Sequence, residues 1–348
     1  MPDVDRYRPD DHRGVESLYR RVFGADAAAA NRLRWDWQYA RNPSNPDGAP
    51  LIWVVREGPT IVGHCATMPV RLAVRGREID AAWGTDAMVA PERRRQGLGE
   101  LLFRTWDRQV GASMGLGLSD SSQQLLHKLH WPEPHLVPCL VKPLTRRAFR
   151  RPTWPTAINR LVSAVFTHPV AALVGRSRPL RADVEPLRRF DDEFTDLWER
   201  LAPTFDLAVR RDAPYLNWKY IDPPHVRYTV VALKRADRCD GYAVYRHTRE
   251  PRGRVTLIVD FLVDPADEAG FETLLRWIEA EARAADSDKV RCYATHAAFR
   301  RLMRRSGYFP VKSSLALTLK IRAVDLPAEF YKAVGGWHVT AGDSDQDR

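Results

Sequence analysis

Hydrophobic positions along the chain alternate between two periods, one near 3.6 residues and one near 2. The chain therefore reads as a mixture of helices and strands. In its first part, residues 4–8 predict a short strand, and Asp11-His12 caps a helix with Val15, Leu18, Tyr19, Val22 and Phe23 on one face. A second helix is predicted over 31–41 and stops near Pro43. Strands follow over 51–56 and 60–68, joined by the turn Glu57-Gly58-Pro59, and the sheet continues over 70–74 and 79–89. Residues 97–110 predict a helix, 115–118 a short strand, 121–129 a helix and 136–141 a last strand.

The order then starts again. Residues 184–188 predict a strand, 191–201 an amphipathic helix and 215–220 a second helix. Strands over 228–233, 241–247 and 255–263 precede a helix over 271–284, a strand over 290–294, a helix over 297–305 and a strand over 313–321. Individual residues recur as well. Trp37-Gln38-Tyr39 before Pro43 matches Trp218-Lys219-Tyr220 before Pro224. Asp86, Val89 and Pro91 match Asp260, Val263 and Pro265 in spacing, and each set leads to a Leu-Leu pair, Leu101-Leu102 and Leu274-Leu275. An ordered series of matches points to a duplicated plan. Similar core packing in two unrelated halves is the alternative. Long strands followed by strand–helix pairs give the fold class as a mixed α/β sheet in each of two similar domains.

Length agrees with this, since 348 residues and 39.8 kDa suit two domains. The 54 Lys and Arg against 44 Asp and Glu leave a net charge of +10. Such an excess points toward nucleic acid, a membrane surface or an anionic ligand. It is not evenly spread: residues 146–181 hold eight arginines and no lysine, aspartate or glutamate. The rest of the chain is near neutral and shows no RNA-recognition motif, so nucleic acid is not an expected partner. Inside the basic stretch, Ile158, Leu161, Val162, Val165, Phe166, Val170 and Leu173 keep helical spacing, interrupted by Pro169. This reads as a basic, partly helical linker. It is either an interdomain helix with solvated arginines or a peripheral contact with an anionic membrane face. The four cysteines form no C-x-x-C pair, so neither zinc nor disulfides are expected. No signal-peptide plan opens the chain, and no run reaches the ~18 apolar residues of a membrane span. The expected location is cytoplasmic, with the linker's membrane contact as an option on the inner face. A tail rich in Gly, Asp and Ser from Gly335 to Arg348 predicts disorder. The expected division is a first domain over 1–145, the linker over 146–181, a second domain over 182–325 and a flexible tail over 326–348.

The most specific stretch is Val89-Ala90-Pro91-Glu92-Arg93-Arg94-Arg95-Gln96-Gly97-Leu98-Gly99. It runs from a strand end through a proline turn into a helix start. Backbone N–H groups from Gln96 to Gly99 should point outward there, and the helix dipole should favour an anion such as a pyrophosphate. Arg94 and Arg95 add charge. A Walker loop is excluded because no Gly-Lys-Ser/Thr is present, and the dinucleotide fingerprint lacks one of its glycines.

Here the chain resembles the GNAT superfamily of acetyl-coenzyme A-dependent N-acetyltransferases. Arg94-Arg95-Gln96-Gly97-Leu98-Gly99 fits that family's signature after a strand ending in V-x-P. The resemblance implies two GNAT-like acyltransferase domains, with acetyl-CoA as cosubstrate. It implies that the loop residues Arg94, Arg95, Gln96, Gly97, Leu98 and Gly99 hold the pyrophosphate, and that Met88 and Val89 pair with the pantetheine arm. It also offers Asp86 as a catalytic carboxylate, although Asp260 at the matching place argues for a structural role. The family often puts a Tyr in the late helix as partner of the departing thiolate; Leu126 falls there, with His127, Ser121 and Ser122 nearby. Trp35, Trp37 and Tyr39 fit either an acceptor cleft or the core. The second copy carries Asp267, Glu268 and Glu272 in place of the arginines and should repel a pyrophosphate. The expected function is transfer of an acetyl group to an amine of an amino sugar, a small amine or a peptide. A non-catalytic scaffold and a transfer-RNA-dependent aminoacyl transferase with twin GNAT-like domains are the alternatives.

Overall fold

The computed structural model describes residues 3–149, 184–236, 238–251 and 253–345. Most of the basic linker, and with it the predicted linker helix and its membrane option, lies outside the described residues.

The first half runs β1 (Val4–Arg6), α1 (His12–Phe23), α2 (Ala25–Trp35), β2 (Ile52–Glu57), β3 (Thr60–Val74), β4 (Arg77–Val89), α3 (Leu98–Gln109), β5 (Ala112–Leu116), α4 (Asp120–Lys128), β6 (His135–Leu136) and β7 (Cys139–Pro143). The second runs β8 (Val184–Leu187), α5 (Asp192–Leu201), β9 (Leu207–Val209), α6 (Ala213–Leu216), β10 (Thr229–Arg235), β11 (Arg238–Glu250), β12 (Gly253–Val263), α7 (Glu268–Ala284), β13 (Lys289–Tyr293), α8 (Ala297–Arg305), β14 (Phe309–Val311) and β15 (Ala316–Ile321). α9 (Ala328–Lys332) and β16 (Trp337–His338) follow. α2 begins six residues before its expected start. Its first turns are mostly alanine, which has the best helix propensity but contributes no apolar stripe to read.

The sheets exchange strands. The first has the order β1-β2-β3-β4-β5-β15-β6, with β9 pairing both β3 and β16. The second has the order β14-β7-β13-β12-β11-β10-β8. Thus β7, from the first half, lies between β13 and β14, and β15, from the second half, lies between β5 and β6. The expected single strand over 136–141 is therefore two strands in two sheets. Pro138 stands at the break; it lacks the N–H that a continuous inner strand needs. Boundaries at 145 and 325 consequently cut through each sheet's hydrogen bonding. One core is continuous across both sheets, from Trp83 and Met114 to Phe261 and Trp337. A second, built on Leu18, Trp53, Leu102 and Trp106, joins the first sheet to α1 and α3.

The recurring Trp and Tyr lie in matching wide turns, Asp36–Ala40 and Asn217–Ile221. Each closes with a bond over five residues, Arg41 N to Asp36 O and Asp222 N to Asn217 O. Trp37 and Trp218 stack with ring centroids 5.3 Å apart. Each indole N–H donates to the other's backbone carbonyl, at 2.5 and 2.7 Å. Such a stack contributes roughly 0.5–1.5 kcal/mol beyond area burial. These residues are an interdomain clasp.

The tail expected to be flexible is instead among the most enclosed parts of the chain. Trp337, Val339, Ala341, Asp343 and Ser344 are each 1% exposed. Its polar composition misled because its acid finds a buried cation: Arg211 Nη2 donates to Asp343 at 2.9 Å. A paired and hydrogen-bonded carboxylate can be buried, whereas composition alone counts it as solvated.

Candidate functional site

β4 ends at Val89, and Pro91–Arg93 forms a single tight turn. Arg95 (φ 61°) and Gly97 (φ 82°) then take left-handed backbone conformations before α3 starts at Leu98. Buried Leu98 anchors the helix start, while Arg94, Arg95, Gln96 and Gly97 face solvent. Backbone N–H groups from Arg95 to Glu100 find no acceptor among the described residues. Alternating hand turns successive N–H groups toward one point, and the helix adds roughly half a positive charge. A Cβ at Gly97 would meet nothing within 4 Å, so the space in front of this concavity is open. Arg94 and Arg95 form no ion pair among the described residues; both are exposed, and Arg94 Nε points back toward Val89 O at 3.4 Å. Arg93 does not join them: it grips Glu57 through Nε at 3.0 Å and Nη2 at 2.5 Å. Gln96 donates its side-chain N–H to Glu92 O at 3.2 Å.

The strand leading into the loop has a free edge. β4 and β5 pair in parallel from Ala81–Ala112 to Trp83–Met114 and then part. From Gly84 to Val89 the β5 side of β4 has no strand partner among the described residues. Val89 packs toward Gly99, where a Cβ would lie 4.0 Å from Val89 Cγ2 and 3.6 Å from Leu125 Cδ2 of α4. Met88 is turned into the core at 5% exposure, so only its backbone is available to a ligand. Within this stretch His64 faces Met88 and Ala66 faces Thr85, leaving Asp86 and Ala87 opposite Cys65 alone. This is a β-bulge, and Asp86 takes φ 34° in it.

Asp86 is held on every side. Its carboxylate accepts from Tyr39 Oη at 2.5 Å, Asn31 Nδ2 at 2.9 Å, Tyr19 Oη at 3.1 Å and Arg34 Nη2 at 3.1 Å to both oxygens. Burial, the largest single influence, would lower the Arg34 guanidinium, but Asp86 together with the other acidic groups around it raises it. Burial, reinforced by Asp86, pushes Tyr19 up to about 12 and Tyr39 well above its usual value. Both phenols therefore stay protonated and donate. A carboxylate so saturated clamps α1, α2 and β4 together and has no lone pair to offer an amine. The geometry thus weighs for the structural reading of Asp86.

Next to it, sequence reading missed His64. Its Nδ1 lies 2.8 Å from Asp86 O, and a carbonyl only accepts, so Nδ1 carries the proton. Nε2 is then a bare acceptor, buried and without a partner among the described residues. Burial holds the ring below the ordinary histidine value, so it is neutral near pH 7. A histidine between apolar positions of a strand carried no signal; only the orphaned nitrogen identifies it.

The other candidates sort themselves by position. Leu126 is buried, His127 is exposed, and Ser121 and Ser122 share hydrogen bonds with the helix cap Ser119. Trp35 packs on Tyr39 and His12, and Trp37 belongs to the clasp. The four cysteines are free and buried, and burial pushes the Cys65 thiol up to about 12, which removes thiolate chemistry there. Among the described residues no cluster of His, Cys, Asp or Glu could hold a metal ion, and no helix is long and apolar enough to cross a membrane. In the second half of the chain, Asp267 Oδ1 accepts from Gly270 N at 3.0 Å at the start of α7, and Arg235 binds the same carboxylate.

Residues 3–114 match the family model described as an acetyltransferase (GNAT) domain. The fold is that of the GNAT-like acyltransferases. A probable N-acyltransferase of unknown function from Enterococcus faecalis V583 has a TM-score of 0.64 at 11% identity, covering 93% of this chain and 73% of that one. A GCN5-related N-acetyltransferase from Anabaena variabilis ATCC 29413 has 0.60 at 13% identity, covering 92% and 73%. Saccharomyces cerevisiae N-myristoyltransferase with bound myristoyl-CoA has 0.56 at 13% identity, covering 91% and 78%. At such identities these likenesses concern the fold. No curated protein sequence matches the chain.

Proposed function

We propose that the chain is an acyltransferase that moves an acetyl group from acetyl-CoA to an amine, with the chemistry in its first domain. The observation that carries this reading is the open row of N–H groups from Arg95 to Glu100 beside the free edge of β4. The row suits a pyrophosphate, with Arg94, Arg95, Gln96, Gly97, Leu98 and Gly99 around it, and the free edge at Met88 and Val89 suits an extended amide-bearing arm. The amine nitrogen attacks the thioester carbonyl, a C–N bond replaces the C–S bond, and the thiolate departs. His64 Nε2, wholly buried and without a partner among the described residues, is the candidate to take the ammonium proton through a water relay. The acetyl assignment finds support in the matched family model. The structural likeness to an N-myristoyltransferase makes a longer acyl chain the alternative donor to test. The acceptor stays an amine of an amino sugar, a small amine or a peptide.

Calorimetric titration tests the reading. Wild type should bind acetyl-CoA, with myristoyl-CoA weaker. Gly97→Glu should bind acetyl-CoA on the order of 100-fold more weakly, because it sets a carboxylate in the anion site on strained backbone. Failure of wild type to bind either thioester removes the reading, and preference for myristoyl-CoA replaces the donor.

A further inference from the structure

We propose that the second domain keeps its acyl cleft as a peptide socket, whose ligand is the chain's own C-terminal segment, residues 337–345. Only the last step of this inference, the presentation of that segment to the first domain, rests on the functional reading above. In both domains two parallel strands pair briefly and then part. β12 and β13 pair from Val255–Lys289 to Ile258–Cys292, as β4 and β5 do up to Trp83–Met114. Beyond that point no strand of the described residues enters the first gap, and the second is filled.

The filling segment bonds to both walls. On the β13 side, Ala294 forms an antiparallel bridge with Thr340. Thr295 N donates to Val339 O at 3.2 Å, Thr295 Oγ1 to Trp337 O at 2.6 Å, and Val339 N to Thr295 Oγ1 at 3.0 Å. On the β12 side, His338 Nε2 donates to Phe261 O at 2.7 Å and Thr340 Oγ1 to Asp260 Oδ1 at 3.0 Å. Strand addition of this kind takes its affinity from the main chain and its register from side-chain pockets. Here the register is fixed by charge. Arg211, wholly enclosed, joins the cleft's Asp260 at 3.1 Å to the segment's Asp343 at 2.9 Å. Gly342 passes where nothing larger fits, since a Cβ there would lie 2.4 Å from Tyr220 Oη and 3.0 Å from Val259 O. Lys219 Nζ then donates to Ser344 O at 2.5 Å.

The exit of the socket faces the first domain. Lys219, which holds Ser344 O, also lies 5.9 Å from the centre of the Trp37 ring, and Trp37 shares its wide turn with Tyr39, a donor to Asp86. The second domain therefore holds a strand where its counterpart would hold a thioester arm. It uses that strand to set the last described residues beside the turn that leads through Tyr39 and Arg34 to Asp86.

Amide hydrogen exchange read by mass spectrometry on the full chain tests this, with wild type, Asp343→Asn and Thr340→Val. In Asp343→Asn the peptide over 337–345 should exchange about tenfold faster or more. Peptides carrying Arg34 and Asp86 should also speed up, while β10 and β11 keep wild-type protection. Thr340→Val should give the same pattern at smaller size, and it carries the test should Asp343→Asn fail to fold. Unchanged tail protection in the folded variants overturns the socket, and so does opening of the whole second domain together with the tail. A loosened tail with unchanged peptides at Arg34 and Asp86 overturns the presentation step. Acetyl-CoA titration of the same samples separates the two readings: wild type that binds none defeats the first-domain function, and the exchange result stands by itself.

Discussion

At Val89–Gly99 the chain leaves the N-terminus of α3 open, and at Val263–Gly270 it closes the N-terminus of α7 with its own carboxylate. Both junctions follow a strand ending in V-x-P. In the second, a Cβ on Gly270 would overlap Asp267 Oδ2 at 2.1 Å, so side-chain oxygen already occupies the space an anion would take. In the first, the glycine with positive φ faces open space and the nearest free charges are arginines. A helix start needs negative charge or hydrogen-bond acceptors. Where the chain supplies them, the junction is closed; where it withholds them, the N–H groups stay open to a ligand. The buried carboxylates differ in the same sense: Asp86 serves one arginine beside the open junction, whereas Asp260 shares Arg211 with the tail.

The largest expected effect comes from breaking that second cluster. Arg211→Met leaves Asp260 and Asp343 facing each other with Tyr242 and Thr340 as their side-chain hydrogen-bond donors among the described residues. Removing one partner of a buried pair costs roughly 3–5 kcal/mol. Arg34→Met should cost less, because Tyr19, Asn31 and Tyr39 still donate to Asp86. Urea unfolding of the two variants measures the difference. Equal losses would mean that the tail adds nothing to the second cluster.

A sharper cut isolates the chemistry of the open half. His64→Gln should lower kcat on the order of 100-fold, the usual contribution of a positioned base, with acetyl-CoA affinity within twofold of wild type. Steady-state rates with an amine found by screening, set beside calorimetric affinity, check this. An unchanged kcat removes His64 from the reaction and leaves catalysis to proximity.

Much of the architecture was legible because burial imposes period on sequence. The strands at 52–57 and 229–235 and the helix at 297–305 follow from apolar spacing alone. The loop at Arg94–Gly99 was legible because glycine, arginine and proline each have a backbone or charge meaning. Three features were hidden, each because it depends on distant residues. Strand exchange at Pro138 needs the partner sheet to be known. The tail's burial needs Arg211, which lies more than 130 residues earlier. His64 matters only through a proton it gives to Asp86 O and a nitrogen left without a partner.

The halves should also part in their response to acid. Burial holds His338 down to about 3 and His296 to about 4, against an ordinary value of 6.5. Below pH 6.5 the unfolded chain takes both protons and the native second domain takes neither, so stability falls as pH falls. Asp343 acts in the opposite direction. Burial and the charge of Asp260 outweigh Arg211 and raise it, so the native state gains its proton first. Two protons against one leave a net loss of about 1.4 kcal/mol per pH unit between pH 6 and about 4.5. Those three groups belong to the second half or to the strand it holds; in the first half buried His64 on β3 acts in the same direction as the two histidines, with a smaller departure from its ordinary value. Hydrogen exchange at pH 7 and pH 5 should therefore show β12, β13 and the tail losing protection more than β2 and β3. Uniform loss across both sheets would show that the strand exchange makes the two halves one unfolding unit.

The smallest effect tests the closed junction directly. Asp267→Ala removes the cap on Gly270 N and a carboxylate bound by Arg235. Loss of such a cap costs about 1 kcal/mol, which thermal unfolding should register as a few degrees. It should not create a second thioester site. Glu268 still stands at the first turn of α7, no arginine precedes it, and no residue from Pro265 to Gly270 has the left-handed backbone that turns N–H groups together at Arg95 and Gly97. Acetyl-CoA should therefore titrate with one site per chain in the variant as in wild type. A stoichiometry of two would mean that one carboxylate alone separates the closed junction from the open one, and that the backbone difference between them carries no weight.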